Sequence, residues 1–150
     1  MLRTILATTL LSTPLLAQEV TYDVDGVQHT GYYAAAEGET GGMVLIVHDW
    51  DGIDAYETGR ADELAAMGYD AFVIDMYGED TPSGSVEENR AATSELSEDR
   101  GKMSQLILAG IEAANEQSDA PNFVVMGYCF GGGVALEMAR SEYSDQASGY

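Results

Sequence analysis

A chain of 150 residues holds at most one domain. Its 26 acidic residues against 6 basic ones give a formal net charge of -20, which argues against nucleic acid and anionic membrane surfaces as partners and reads as a solvated acidic surface. A hydrophobic fraction of 45% in periodic segments excludes global disorder, and a single cysteine excludes an intrachain disulfide framework.

Residues 1–17 have the layout of a secretory signal. Arg3 supplies a positive n-region, 5–16 is mostly apolar, and Ala17 is the expected residue before cleavage. The stretch is too short, and too interrupted by Thr, Ser and Pro14, to span a bilayer well. The sequence therefore predicts an exported protein, periplasmic or secreted, with no membrane partner once the signal is gone. The folded part is expected over 18–150.

Residues 19–24 and 27–35 flank Asp25-Gly26, a two-residue turn signal, and predict a hairpin with His29, Gly31 and Tyr33 on one face. His29 is expected to be a surface strand residue. After a polar, glycine-rich loop, 43–48 (MVLIVH) is an apolar run without alternation, as in a strand buried on both faces of a parallel sheet. Beyond the loop 49–54, Ala61, Leu64 and Ala65 mark a helix that ends at Met67-Gly68. Residues 69–74 form a second buried-type strand running into Asp75-Met76-Tyr77-Gly78. A helical pattern resumes near Val86, breaks near Asp99-Arg100-Gly101, and continues with Met103, Leu106, Ile107, Ile111 and Ala114 on one face. A strand over 122–126 then leads through Gly127-Tyr128-Cys129-Phe130-Gly131-Gly132 into a last helix.

A hairpin followed by three strand–helix units predicts an α/β fold, a mostly parallel sheet with helices on both faces. Ligands of such sheets bind beyond the carboxyl ends of the strands. The loops 48–52 and 75–78 and Cys129 all fall there.

Cys129 sits at a strand-to-helix turn with Gly127 two residues before it and Gly131 two after, the pattern of a nucleophile elbow with Cys in place of Ser. The following helix points its N-terminus at the sulfur and favours the thiolate. The N–H of Phe130 faces the place where an oxyanion forms, and the N–H of Trp50 is the candidate second donor. The competing reading of Cys129 is a buried structural thiol. Asp49 either acts on the thiol, taking its proton or fixing its rotamer, or caps its own loop or the next helix. His48 is either a general base or a strand-end residue pointing away from the sulfur, and the second is expected. A metal site built from His48, Asp49, Asp51 and Asp54 fits no strong ligand spacing, so no metal and no cofactor are expected.

Four passages together resemble the dienelactone hydrolase family of the α/β-hydrolase fold: VLIVHDWDGI (44–53), AAMGYDAFVIDMYGED (65–80), the long helix before the last passage, and VVMGYCFGGGVAL (124–136). The resemblance implies that Cys129 attacks a lactone or small carboxylic ester. It implies Asp49 as the loop carboxylate that contacts the thiol, where the family commonly has a longer Glu. It makes Trp50 and Phe130 N–H the oxyanion donors, and Arg90 the nearest match to an arginine that binds a substrate carboxylate. The family's catalytic Asp and His follow two further strands, and His29 and His48, the only histidines, are not placed as that base. Residues 18–150 are accordingly expected to be the N-terminal part of a single truncated α/β-hydrolase domain, with the triad Asp and His beyond 150. The alternative is a non-catalytic binding domain of the same fold, or an inactive fragment.

Overall fold

The computed structural model describes residues 17–150; the signal-like stretch 1–16 lies outside the described residues. Asp25 and Gly26 hold φ of 53° and 86°, the paired left-handed conformation whose twist matches that of two adjoining strands. Around this turn β1 (Ala17–Val24) and β2 (Val27–Ala34) pair antiparallel, with Val24 opposite Val27. β2 also pairs antiparallel with β4 (Asp70–Ile74), while β4, β3 (Met43–Val47) and β5 (Phe123–Gly127) run parallel. The sheet order is β1-β2-β4-β3-β5. Every residue of β3 and β4 is buried, which is why 43–47 and 71–74 read as apolar runs; Asp70, at the start of β4, is buried with its carboxylate accepting the Ala36 N–H.

Helices cover both faces, as expected. On one, α1 (Ala55–Ala66) lays Ala61 and Ala65 on Ala34, Val44, Ile46, Ala71 and Val73. The small side chains let the helix approach the sheet closely. The larger core lies on the other face, where Leu45, Phe72 and Ile74 of the sheet join Leu106 and Ile107 of α3 (Arg100–Asn115) and Val134 and Met138 of α4 (Phe130–Arg140). α2 (Val86–Glu98) packs on α3. The predicted break between these two is a single residue: Asp99 ends α2 and caps α3 by accepting the Lys102 N–H.

Past α4 the chain turns back to the sheet. Ser148 N–H donates to Phe123 O and Val125 N–H to Gly149 O, so the last residues begin to pair parallel with β5.

One expectation is corrected. His29 is not a surface residue; it is 2% exposed. The alternation correctly puts His29, Gly31 and Tyr33 on one face of β2, and all three are buried. Period two tells which residues share a face, not which face is covered. Here the loop after β4 covers the His29 face: the Gln28 carbonyl accepts Glu79 N–H, and Asp75 accepts the Thr30 N–H.

Candidate active site

The elbow is built by close backbone approach. β5 ends at Gly127, the chain turns, and α4 starts at Phe130. Tyr128 N–H donates to Val47 O at the end of β3, and Gly131 N–H donates back to Tyr128 O at 2.8 Å. A Cβ on Gly127 would lie 2.1 Å from the Gly131 carbonyl, and one on Gly131 would lie 2.2 Å from Val47 O. Neither contact can be relieved by a rotamer change, so both glycines are required. Between them Cys129 is held at φ 49° and ψ -106°. For a residue with a Cβ such a conformation costs about 1–3 kcal/mol and persists only where its surroundings enforce it. Cys129 is exposed, not a buried structural thiol, and it stands at the N-terminus of α4.

Phe130 N–H and Trp50 N–H donate to no protein acceptor among the described residues. The turn that carries Trp50 is pinned from two sides. The Asp49 carboxylate accepts the Asp51 N–H at 3.1 Å, and the Tyr77 hydroxyl donates to Trp50 O at 2.7 Å. No hydrogen bond joins the Asp49 carboxylate to the Cys129 sulfur among the described residues. Asp51 is exposed, and its carboxyl is pushed up to about 6, first by its hydrogen bond with Asp49, then by burial and by the Asp49 charge.

His48 is fully buried. Its Nε2 accepts the Met76 N–H at 3.1 Å and its Nδ1 lies 2.6 Å from Asp49 O. An amide N–H only donates and a carbonyl only accepts, so the tautomer is fixed with the proton on Nδ1. Burial holds the ring below its ordinary pKa and keeps it neutral. With both nitrogens committed, His48 braces the ends of β3 and β4 and leaves no lone pair for the thiol.

Tyr77 and Glu57 were not singled out from sequence. The Tyr77 ring meets His48 edge-on at 4.7 Å and stacks on Phe130 at 6.1 Å. Burial, then the charges of Asp49, Asp51, Asp75 and Cys129, push its hydroxyl well above the usual range, so it remains a donor. The legible signal was a tyrosine just past a buried-type strand. Glu57 is 1% exposed and accepts the Asp54 N–H, closing a capping box at the start of α1. Burial pushes its carboxyl up. The D-x-x-E spacing at 54–57 announced it.

Arg90 is exposed on α2, and its guanidinium makes no hydrogen bond or ion pair among the described residues. Arg100 instead pairs with Glu137 of α4. No cluster of three His, Cys, Asp or Glu among the described residues is placed to hold a metal. No described helix is long and apolar enough to cross a membrane.

Sheet order, a strained Cys at the β5–α4 turn and a donor loop after β3 define an α/β-hydrolase fold. Solved structures agree. The chain is similar to m3DLH, with 28% identity and a TM-score of 0.75 over 83% of this chain and 53% of that one. It is similar to a dienelactone hydrolase-like promiscuous phosphotriesterase from metagenomic libraries, with 25% identity and a TM-score of 0.75 over the same shares. The dienelactone hydrolase of Anabaena variabilis shares the fold at 23% identity and a TM-score of 0.64, over 88% of this chain and 61% of that one. The chain thus spans about half the length of the first two. No curated protein matches it. The model of the dienelactone hydrolase family matches residues 30–150, and the chain belongs to that family.

Proposed function

We propose that this chain carries the nucleophile and the oxyanion donors of a hydrolase acting on lactones or small carboxylic esters. The observation that carries the reading is the strained, exposed Cys129 at a helix N-terminus, together with the two unpaired N–H groups of Phe130 and Trp50. The Cys129 thiolate attacks the carbonyl carbon. A C–S bond forms, and the carbonyl π pair moves to oxygen, where the two amide hydrogens stabilise it. Collapse breaks the C–O bond to the leaving alkoxide, which takes up a proton. Water then attacks the thioester, releasing the acid and restoring the thiol.

Asp49 serves the loop: by accepting the Asp51 N–H it sets the turn that presents Trp50 N–H. His48 is committed through both nitrogens and His29 sits under the hairpin, so neither is the base. We assign the proton relay to an Asp–His pair in sequence beyond residue 150.

The test is hydrolysis of p-nitrophenyl acetate and of a small lactone by the full-length protein, with and without Cys129→Ala. A phosphotriester belongs on the same panel, because one solved relative is named for that activity. In the variant kcat/KM on the esters should fall by roughly a thousandfold or more. Turnover that survives Cys129→Ala would end the reading and leave a binding domain or a different nucleophile.

A further inference from the structure

The hairpin β1–β2, the loop after β4 and helix α3 enclose a cavity of about 140 Å³ that has no part in the chemistry above. Val24, Val27, Leu106 and the ring of Tyr77 give it apolar walls. His29 enters it from β2. The imidazole is almost wholly buried and stacks on Tyr22 with ring centroids 5.6 Å apart. Its Nδ1 lies 2.9 Å from the main-chain carbonyl of Asp75. A carbonyl can only accept, so Nδ1 carries a proton, and the tautomer fixed in this way presents a lone pair on Nε2.

That lone pair has no protein partner among the described residues. Among the described residues no sealed side-chain nitrogen or oxygen lacks a partner, so the unpartnered Nε2 keeps some accessible surface, and His29 lines the cavity. Gly78, at φ 73°, keeps the ring accessible, since a Cβ there would come 2.8 Å from Nε2. Most other polar groups at the rim are already engaged. Lys102 pairs with Glu95, Gln105 donates to Asp25, and the Thr81 hydroxyl donates to Tyr77 O. Nε2 remains as an acceptor among the apolar walls, with the Asp80 carboxylate at the rim.

We propose that this cavity binds a small neutral molecule with an apolar body and one hydroxyl, of the size of phenol, whose O–H donates to His29 Nε2. The volume suits it, because an apolar cavity of about 150 Å³ accepts benzene. The charge suits it as well. Asp25 and Asp80 line the rim of a strongly acidic chain and disfavour an anion, and the lone pair needs a donor. Tyr77 is shared, since it walls this cavity and also fixes Trp50 O in the candidate active site.

The test uses the full-length protein labelled with ¹⁵N, titrated with phenol and separately with toluene, while the His29 ring nitrogens are followed by NMR. The proposal expects a saturable shift of the Nε2 resonance with phenol that toluene does not reproduce. His29→Phe, which keeps an aromatic ring on Tyr22 but removes the acceptor, should weaken phenol binding about tenfold, the worth of one hydrogen bond, and leave toluene binding unchanged. A cavity that holds only water, seen as no saturable Nε2 shift, overturns the proposal. So does an equal loss of both ligands in the variant. If His29→Phe does not fold, the ring resonance of the wild-type protein decides alone.

Discussion

Two residues other than glycine hold a positive φ among the described residues, Asp25 at 53° and Cys129 at 49°, and the causes are opposite. Asp25 is a local case. Aspartate tolerates the left-handed region, the twist of β1 and β2 asks for it, and Gly26 shares the turn. The dipeptide alone announces it. Cysteine has no such local excuse. Its conformation is imposed by α4 crossing the end of β3, where Gly127 and Gly131 touch backbone. A turn that suits its residue makes structure. A turn that does not suit its residue, and is enforced from outside, marks where the fold spends stability on presenting one side chain.

The largest effect that tests this contrast is at Gly131. Gly131→Ala drives a Cβ to 2.2 Å from Val47 O and should cost more than about 3 kcal/mol, read from the denaturation midpoint of the full-length protein. A near-wild-type midpoint would mean that the elbow is not crowded. Replacing the strained residues themselves comes next. Cys129→Gly relieves the strain and should raise stability by about 1 kcal/mol while abolishing ester hydrolysis. Asp25→Gly should change stability by less than about 0.5 kcal/mol. Equal gains at both sites would erase the distinction. A smaller effect is expected two residues past the crowding. A Cβ on Gly133 meets nothing within 4 Å, so Gly133→Ala should stabilise α4 by about 0.5–1 kcal/mol, visible as a raised Tm.

The smallest effect concerns the loop facing the elbow. Asp51 moves from an ordinary value of 3.8 to about 6 on folding, so the folded state holds the proton more tightly. Its contribution to stability is complete below the unfolded value, is lost as pH rises through the folded value, and is constant above that. The group is exposed, so the slope is shallow. The Tm of the wild type relative to Asp51→Asn should fall between about pH 4 and 6 and then level off. A difference that rises across that window contradicts a raised Asp51 carboxyl.

Much of the fold was legible because its signals are local. Buried-type runs gave β3 and β4, Asp25-Gly26 gave the hairpin, and the glycine spacing gave the elbow. The placement of β4 between β2 and β3 was not legible, since strand order depends on contacts far apart in sequence. Neither was the burial of His29, whose face is covered by a loop some 46 residues away. In the site, Cys129, Trp50 and Phe130 follow from motif and topology. The engagement of Asp49 with its own loop is a short-range side-chain-to-backbone bond, and such bonds compete with any longer reach. Tyr77 escaped notice because its ring reads as core until its hydroxyl is found on Trp50 O.

Cys129, as the proposed nucleophile, should be caught acylated during turnover. The full-length protein mixed with p-nitrophenyl acetate and quenched during turnover should carry an acetyl thioester on the peptide that contains Cys129, with its formation matching the burst of p-nitrophenol. Continued turnover with an unmodified Cys129, or an acetyl group on a serine, would contradict the account.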